Sequence, residues 1–224
     1  MKKKSDKPSK GRTSRNGQDG RSGRDRRGER HGEVEQFVLE ALETELGGVE
    51  IYETALECVI DDDLREEWEK YLAQTREHVV AVTDICQAFG LDPNTDTPGR
   101  QVTRCIGKSL VKAMTLALGS GSPEAAQRVA AECVVHAETK DHMNWSLMKD
   151  ISKKVGGKGG ERMAAACERY EDEEDEHLYH SQGWARELTK AALGLGAQLP
   201  PPEEERDVKT AIGAARAKAG SARR

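Results

Sequence analysis

The stretch ERMAAACERYEDEEDEHLYHSQGWARELTKAALG, residues 161–194, decides the fold class. Its core-type positions are Met163, Cys167, Tyr170, Glu174, His177, Ser181, Trp184 and Leu188, alternating steps of four and three residues. That is the repeat of a single helix face. Moving upstream, the repeat recurs over about 124–155, where Ala131, Val135, Glu138, His142 and Trp145 share a stripe beside Val129, Cys133, His136, Leu147 and Ile151. It recurs again over about 63–89 (Leu64, Trp68, Tyr71, Thr75, His78, Val82, Ile85, Phe89) and about 33–60 (Val34, Val38, Ala41, Glu45, Val49, Tyr52, Leu56, Val59).

The punctuation between these segments sets their order in space. Asp61, Asp62 and Asp63 supply a tight connection and an N-cap. Gly90 and Pro93 end the second helix. Ser122 followed by Pro123 and Glu124 opens the third as N-cap and first-turn proline. GGKGG at 156–160 reads as a flexible turn. Connections are therefore short, long, short: two antiparallel hairpins joined by a crossover along a bundle of about 40 Å. The crossover holds a shorter amphipathic stretch, Val102, Ile106, Leu110, Met114 and Leu118, but no clear fifth bundle helix. This is an all-α four-helix bundle with one long crossover, spanning 33–199.

Composition agrees. Only 36% of the 224 residues are hydrophobic and 4% aromatic, too few for a β-sandwich or barrel. No apolar run reaches the ~20 residues of a membrane span, and MKKK is followed by no apolar signal segment. Five cysteines without CxxC spacing read as reduced thiols of a cytoplasmic protein.

The net charge of −5 hides an asymmetry. Residues 1–32 carry twelve Lys/Arg against four acidic residues, a net of +8, while 33–202 hold −15. With no hydrophobic residue after Met1, the N-terminal segment reads as a disordered basic arm of the kind that attracts DNA or RNA. Residues 200–224 open with three prolines and continue as a flexible Ala/Lys/Arg tail, with a weak helix over 208–218.

What interrupts the apolar stripes carries the functional information. Glu45, His78, Glu138, His142, Glu174 and His177 fall at similar depth on four helices when the hairpins are folded about Asp62 and Lys158. Buried glutamates need a pairing partner or a cation. Glu174 and His177 stand at i, i+3, so both side chains point inward from one face, as in dinuclear carboxylate sites. His136, on the neighbouring stripe, reads as a packing histidine, and Cys133 and Cys167 as small core residues. The aromatics are core first, although a tyrosine beside the site could donate a proton or electron.

At these residues the chain resembles the ferritin-like superfamily. Glu45-Leu46 with Tyr52 seven residues on, TREHV around His78, and DEEDEH at 172–177 look like bacterioferritin, rubrerythrin and the small ferritin-like stress proteins of bacteria. The resemblance covers about 40–195 and implies Glu45, His78, Glu138, Glu174 and His177 as ligands of two Fe or two Mn ions. It also implies peroxide, dioxygen or Fe²⁺ as substrate, and chemistry of the ferroxidase, peroxidase or catalase type. One departure stands out: three residues before His78, where the family has a bridging glutamate, the chain has Thr75. His142 could compensate, with Gln74 and Glu77 less well directed. The site is then dinuclear with altered ligands, mononuclear or vestigial. A monomer or homodimer is expected ahead of a closed cage. The alternative reading is a non-catalytic helical bundle that associates with nucleic acid through residues 1–32.

Overall fold

The structure is a computed structural model, in which residues 19–206 are described, with side chains from 32 onward. The expectations for residues 1–18 and for a helix over 208–218 lie outside the described residues. Two compact units divide at Val34 and Glu35. The described residues are helical, with no strand among them: α1 (Asp19–Cys58), α2 (Asp62–Ala88), α3 (Pro98–Ser120), α4 (Pro123–Ser152), α5 (Gly157–Ala192) and a short 3-10 turn (Pro202–Arg206). No helix among them is long and apolar enough to cross a membrane.

The first unit departs from the sequence reading, because α1 starts at Asp19, inside the segment expected to be disordered. Arginine and glutamate propagate a helix readily once a neighbouring turn has nucleated it, and propagation is far cheaper than nucleation.

In the second unit the expected connections are present, each with a chemical cause. Asp61 Oδ1 accepts from Leu64 N at 3.2 Å and caps α2. Gln127, buried on α4, closes the same turn by accepting from the amides of Ile60 and Asp61, both at 2.8 Å. Arg65 donates to the carbonyls of Leu56 (3.1 Å) and Val59 (2.6 Å), satisfying the end of α1. At the far end of α2, Gly90 takes φ 78°, with Leu91 N bonded to Cys86 O and Gly90 N to Gln87 O, a Schellman stop. Ser122 Oγ accepts from Ala125 N at 3.3 Å with Pro123 in the first turn of α4, as the sequence predicts.

Three expectations need correction. The crossover is a full helix: α3 spans 23 residues, capped by Thr97, whose Oγ1 accepts from Arg100 N and from Gln36 Nε2 of α1. Its predicted apolar stripe is its buried face only in part, at Met114 and the half-buried Leu110. Val102 and Ile106 are exposed, whereas Arg100 and Met114 are buried. Backbone proximity explains the rotation: a Cβ on Gly107 would lie 3.8 Å from Gly47 Cα of α1, so the small-residue face turns inward.

Second, GGKGG is the first turn of α5 and not a flexible turn. A Cβ on Gly159 would meet the Phe89 ring at 2.8 Å, and one on Gly160 would overlap the Val155 carbonyl oxygen. These glycines are there for close approach. Third, the tail is docked as far as Arg206. Glu203 is buried and accepts from both Arg186 guanidinium nitrogens. Proline is tolerated in the first turn of a helix, and the 3-10 turn begins at Pro202.

All five helices contribute to one apolar core. Ile51, Tyr52 and Ala55 of α1, Leu64, Trp68 and Tyr71 of α2, Met114 of α3, Ala130 and Val134 of α4 and Trp184 of α5 meet in it. The carboxylates and imidazoles lie beside this core.

Candidate metal centre

Six ionisable side chains converge where α1, α2, α4 and α5 face one another: Glu45, His78, Glu138, Asp141, Glu174 and His177, all buried. His78 Nδ1 lies 2.9 Å from Glu174 Oε1 and 3.9 Å from Glu45 Oε2. His177 Nδ1 lies 3.6 Å from Glu138 Oε2. The two imidazole centroids are 5.7 Å apart.

Each of four side chains is anchored by one polar atom and presents the other inward. Glu45 Oε1 accepts from Trp145 Nε1 at 2.8 Å, and Oε2 has no partner. Glu138 Oε1 accepts from Tyr52 OH at 2.7 Å, and Oε2 has none. In the tautomer with the proton on Nε2, His78 donates to Glu173 Oε2 and His177 to Gln74 Oε1, both at 3.1 Å, and Nδ1 of each is left to face the cluster, that of His78 without a partner. His78 Nδ1 and Glu174 Oε1, although 2.9 Å apart, are not aligned as a hydrogen bond, and both atoms are orphaned. Glu174 Oε2 and Asp141 Oδ1 are orphaned too. Buried polar atoms are almost always satisfied, so lone pairs crowded on lone pairs call for a positive charge between them. An outer acceptor on the second imidazole nitrogen is the usual support of a metal-ligating histidine.

Electrostatics agree. Burial first, then the Asp141 carboxylate, pushes Glu45 well above the usual carboxylate range. Burial and Glu138 do the same to Asp141; burial, Asp141 and Glu45 do it to Glu174. Burial and the neighbouring His177 hold His78 down at about 3, so it is neutral near pH 7. Four carboxyl groups around the neutral His78 imidazole form a site short of positive charge, and two divalent cations would balance it.

A stability prediction follows, and its sign depends on pH. The raised carboxyls bind more protons folded than unfolded, so without metal they lose stability as pH climbs above the unfolded value of about 4. His78 works the other way, adding stability from its folded value of about 3 up to about 6.5. Above about 6.5 the His78 contribution is complete, and the raised carboxyls, joined towards pH 8.5 by the Cys58, Cys86 and Cys167 thiols that burial pushes up to about 11, only subtract. Chelated protein should therefore melt lower at each step from about pH 6.5 to 8.5, and added Mn²⁺ or Fe²⁺ should abolish or invert that slope. Thermal unfolding at three pH values measures it; a chelated protein whose melting point rises over that range would contradict it.

No family model, curated protein or solved structure matches this chain. Five of the six sequence candidates meet at the centre. The exception is His142, which sits partly exposed on the next face of α4, its Nε2 2.8 Å from Asp175 Oδ1. Asp141 takes the inward position instead. Thr75 is buried opposite Gly48 and offers no carboxylate. Gln74 orients His177 from outside, and Glu77 pairs with Arg169 at the surface, 3.0 Å away. His136 is exposed, not packed. Cys133 and Cys167 are buried and free, outside the ligand groups.

A second polar network backs the site. The Tyr71 ring lies 4.2 Å from that of His177, and its hydroxyl donates to Glu67 Oε1 at 2.6 Å with His180 Nδ1 at 2.7 Å. Trp184 Nε1 donates to Glu67 Oε2 at 2.6 Å. Glu67 and His180 were not among the sequence candidates, although Glu67 shares a helix face with Tyr71, and His180 follows His177 by three residues, the spacing that marks Glu174 and His177.

Proposed function

We propose that this chain is a ferritin-like metalloprotein: a four-helix bundle of α1, α2, α4 and α5, with α3 in the crossover, holding two divalent cations of Fe or Mn. Its role is peroxide or iron handling under stress, with peroxide, dioxygen or Fe²⁺ as the small substrate. The observation that carries the reading is the set of orphaned inward atoms: one oxygen each of Glu45, Glu138 and Asp141, both of Glu174, and Nδ1 of His78. Ions bound there would supply the electron exchange that no side chain of the cluster can perform.

The protein's own contribution is position and environment. Trp145 and Tyr52 fix the outer oxygens of Glu45 and Glu138, while Glu173 and Gln74 fix the imidazoles. Tyr170 and Trp145 pack on His78, with ring centroids at 4.6 and 5.4 Å, and keep bulk water off the donors. A pocket of about 370 Å³ between α4 and α5 is lined by Ser146, Lys149, Glu174 and Asp175, and it is the side from which we expect a cation or peroxide to approach.

The test is metal content per chain by elemental mass spectrometry, on protein purified without chelators. About two Fe or Mn per chain is the expected result. No metal, even after anaerobic addition of Fe²⁺ or Mn²⁺, would overturn the reading.

A further inference from the structure

The six donors are not distributed evenly. Helices α1 and α4 supply three carboxylates (Glu45, Glu138, Asp141) and no imidazole at the centre, whereas α2 and α5 supply both imidazoles and the single carboxylate Glu174. Two residues set this skew: Thr75, buried on α2, offers the histidine side no carboxylate, and Asp141 adds one to the other. Within the cluster, two groups of donor atoms each lie within 4.8 Å of one another. One is Glu45, Asp141 and Glu174; the other is His78, His177 and Glu174. Only Glu174 belongs to both, and only Glu174 has both oxygens orphaned.

Resting on the metal-centre reading above, we infer that the two positions are chemically unequal and that the centre is heterodinuclear. Glu45, Asp141 and Glu174 hold a hard, oxygen-preferring ion such as Mn²⁺. His78, His177 and Glu174 hold a borderline ion such as Fe²⁺ or Zn²⁺, and Glu174 bridges them. Three carboxylates without nitrogen suit a hard ion, for which the Irving–Williams order gives little advantage to later metals; two imidazoles with one carboxylate favour the later metals strongly. Glu138, whose free Oε2 faces His177, completes the histidine side. A symmetric pair of positions, each with one histidine, would give neither ion a preferred place.

The experiment uses the full-length chain, stripped of metal, loaded with one equivalent of Zn²⁺ and then titrated with Mn²⁺, free Mn²⁺ being counted by electron paramagnetic resonance. The expected result is one Mn²⁺ bound with Zn²⁺ retained. Asp141→Asn should then weaken Mn²⁺ by more than the roughly 10–100-fold that loss of an outer-layer partner costs, and leave Zn²⁺ affinity within a fewfold. His78→Ala should do the reverse. The wild-type titration alone decides the matter if a variant does not fold. Displacement of Zn²⁺ by Mn²⁺ one for one, or Asp141→Asn weakening both ions equally, overturns the heterodinuclear inference and leaves the metal centre standing. Binding of neither ion overturns both.

Discussion

Glu174→Ala should take bound metal from about two ions per chain to less than one, and remove nearly all metal-dependent stabilisation. Glu174 is the one residue common to both donor groups, and its carboxyl is buried with neither oxygen hydrogen-bonded. In the metal-free chain that carboxyl stabilises nothing: burial and the nearby Asp141 and Glu45 push it toward the neutral form. Deleting it removes a desolvated acid along with a small volume of packing, and the two effects oppose each other. Metal-free variant and metal-free wild type should therefore unfold within a few degrees of each other. The loaded proteins should not. Each ion held at a hundred times its dissociation constant adds about 2.7 kcal/mol, so two add about 5 kcal/mol. For a chain of this size that is a rise of about 10–20 °C in wild type, absent from the variant. Elemental analysis and paired melting curves with and without metal measure both halves. Glu173→Ala is the graded control: its carboxylate only orients His78, so affinity should fall about 10–100-fold without loss of the site. Full metal content in Glu174→Ala would sink the assignment of the bridging residue.

Local chemistry made much of the fold legible. The Asp61 cap, the Gly90 stop and the Ser122-Pro123 start are each complete within a few residues, and each stands in the structure as read. Features decided by how one helix rotates against another were not legible. On α4, Glu138 is followed by Asp141 at i+3 and His142 at i+4, which straddle its direction by about −60° and +40°. Periodicity admits both. The structure selects the row Glu138, Asp141, Trp145, Met148, all buried, and leaves His142 to pair with Asp175. Asp141 in fact repeats the Glu-x-x-ligand spacing of Glu174 and His177, a signal present in the sequence. The first half of the α3 stripe fails for a related reason: hydrophobicity favoured Val102 and Ile106, but contact with α1 is set by Gly107 and by an arginine, whereas Leu110 and Met114 further along do pack on the core.

That arginine carries the second large effect. Arg100→Met should destabilise the protein by about 3 kcal/mol, the lower end of the cost of breaking a buried ion pair. Arg100 is 4% exposed and Glu43 5%. Its guanidinium donates to Glu43 Oε2 through Nε at 2.8 Å, with NH2 at 2.7 Å, and to the carbonyls of Pro93 and Thr95 through NH1. One side chain thus ties α3 to α1 and holds the loop between α2 and α3. Methionine keeps most of the apolar stem and removes every one of those bonds. The cost stays at the lower end because Arg104 also reaches Glu43, at 2.6 Å, and is itself partly exposed. Arg104→Met should accordingly shift the melting point much less. The pH dependence gives an independent check. Burial raises the Glu43 carboxyl, but the hydrogen bonds from Arg104 and Arg100 outweigh it and hold the group below its ordinary value of 4.5. A depressed carboxylate contributes stability above its unfolded value and loses it as pH falls through the folded one. The gap between wild type and Arg100→Met in urea midpoint should be widest near neutral pH and narrow below about pH 4.5. A gap that stays constant into acid would mean the loss comes from the loop carbonyls and not from Glu43.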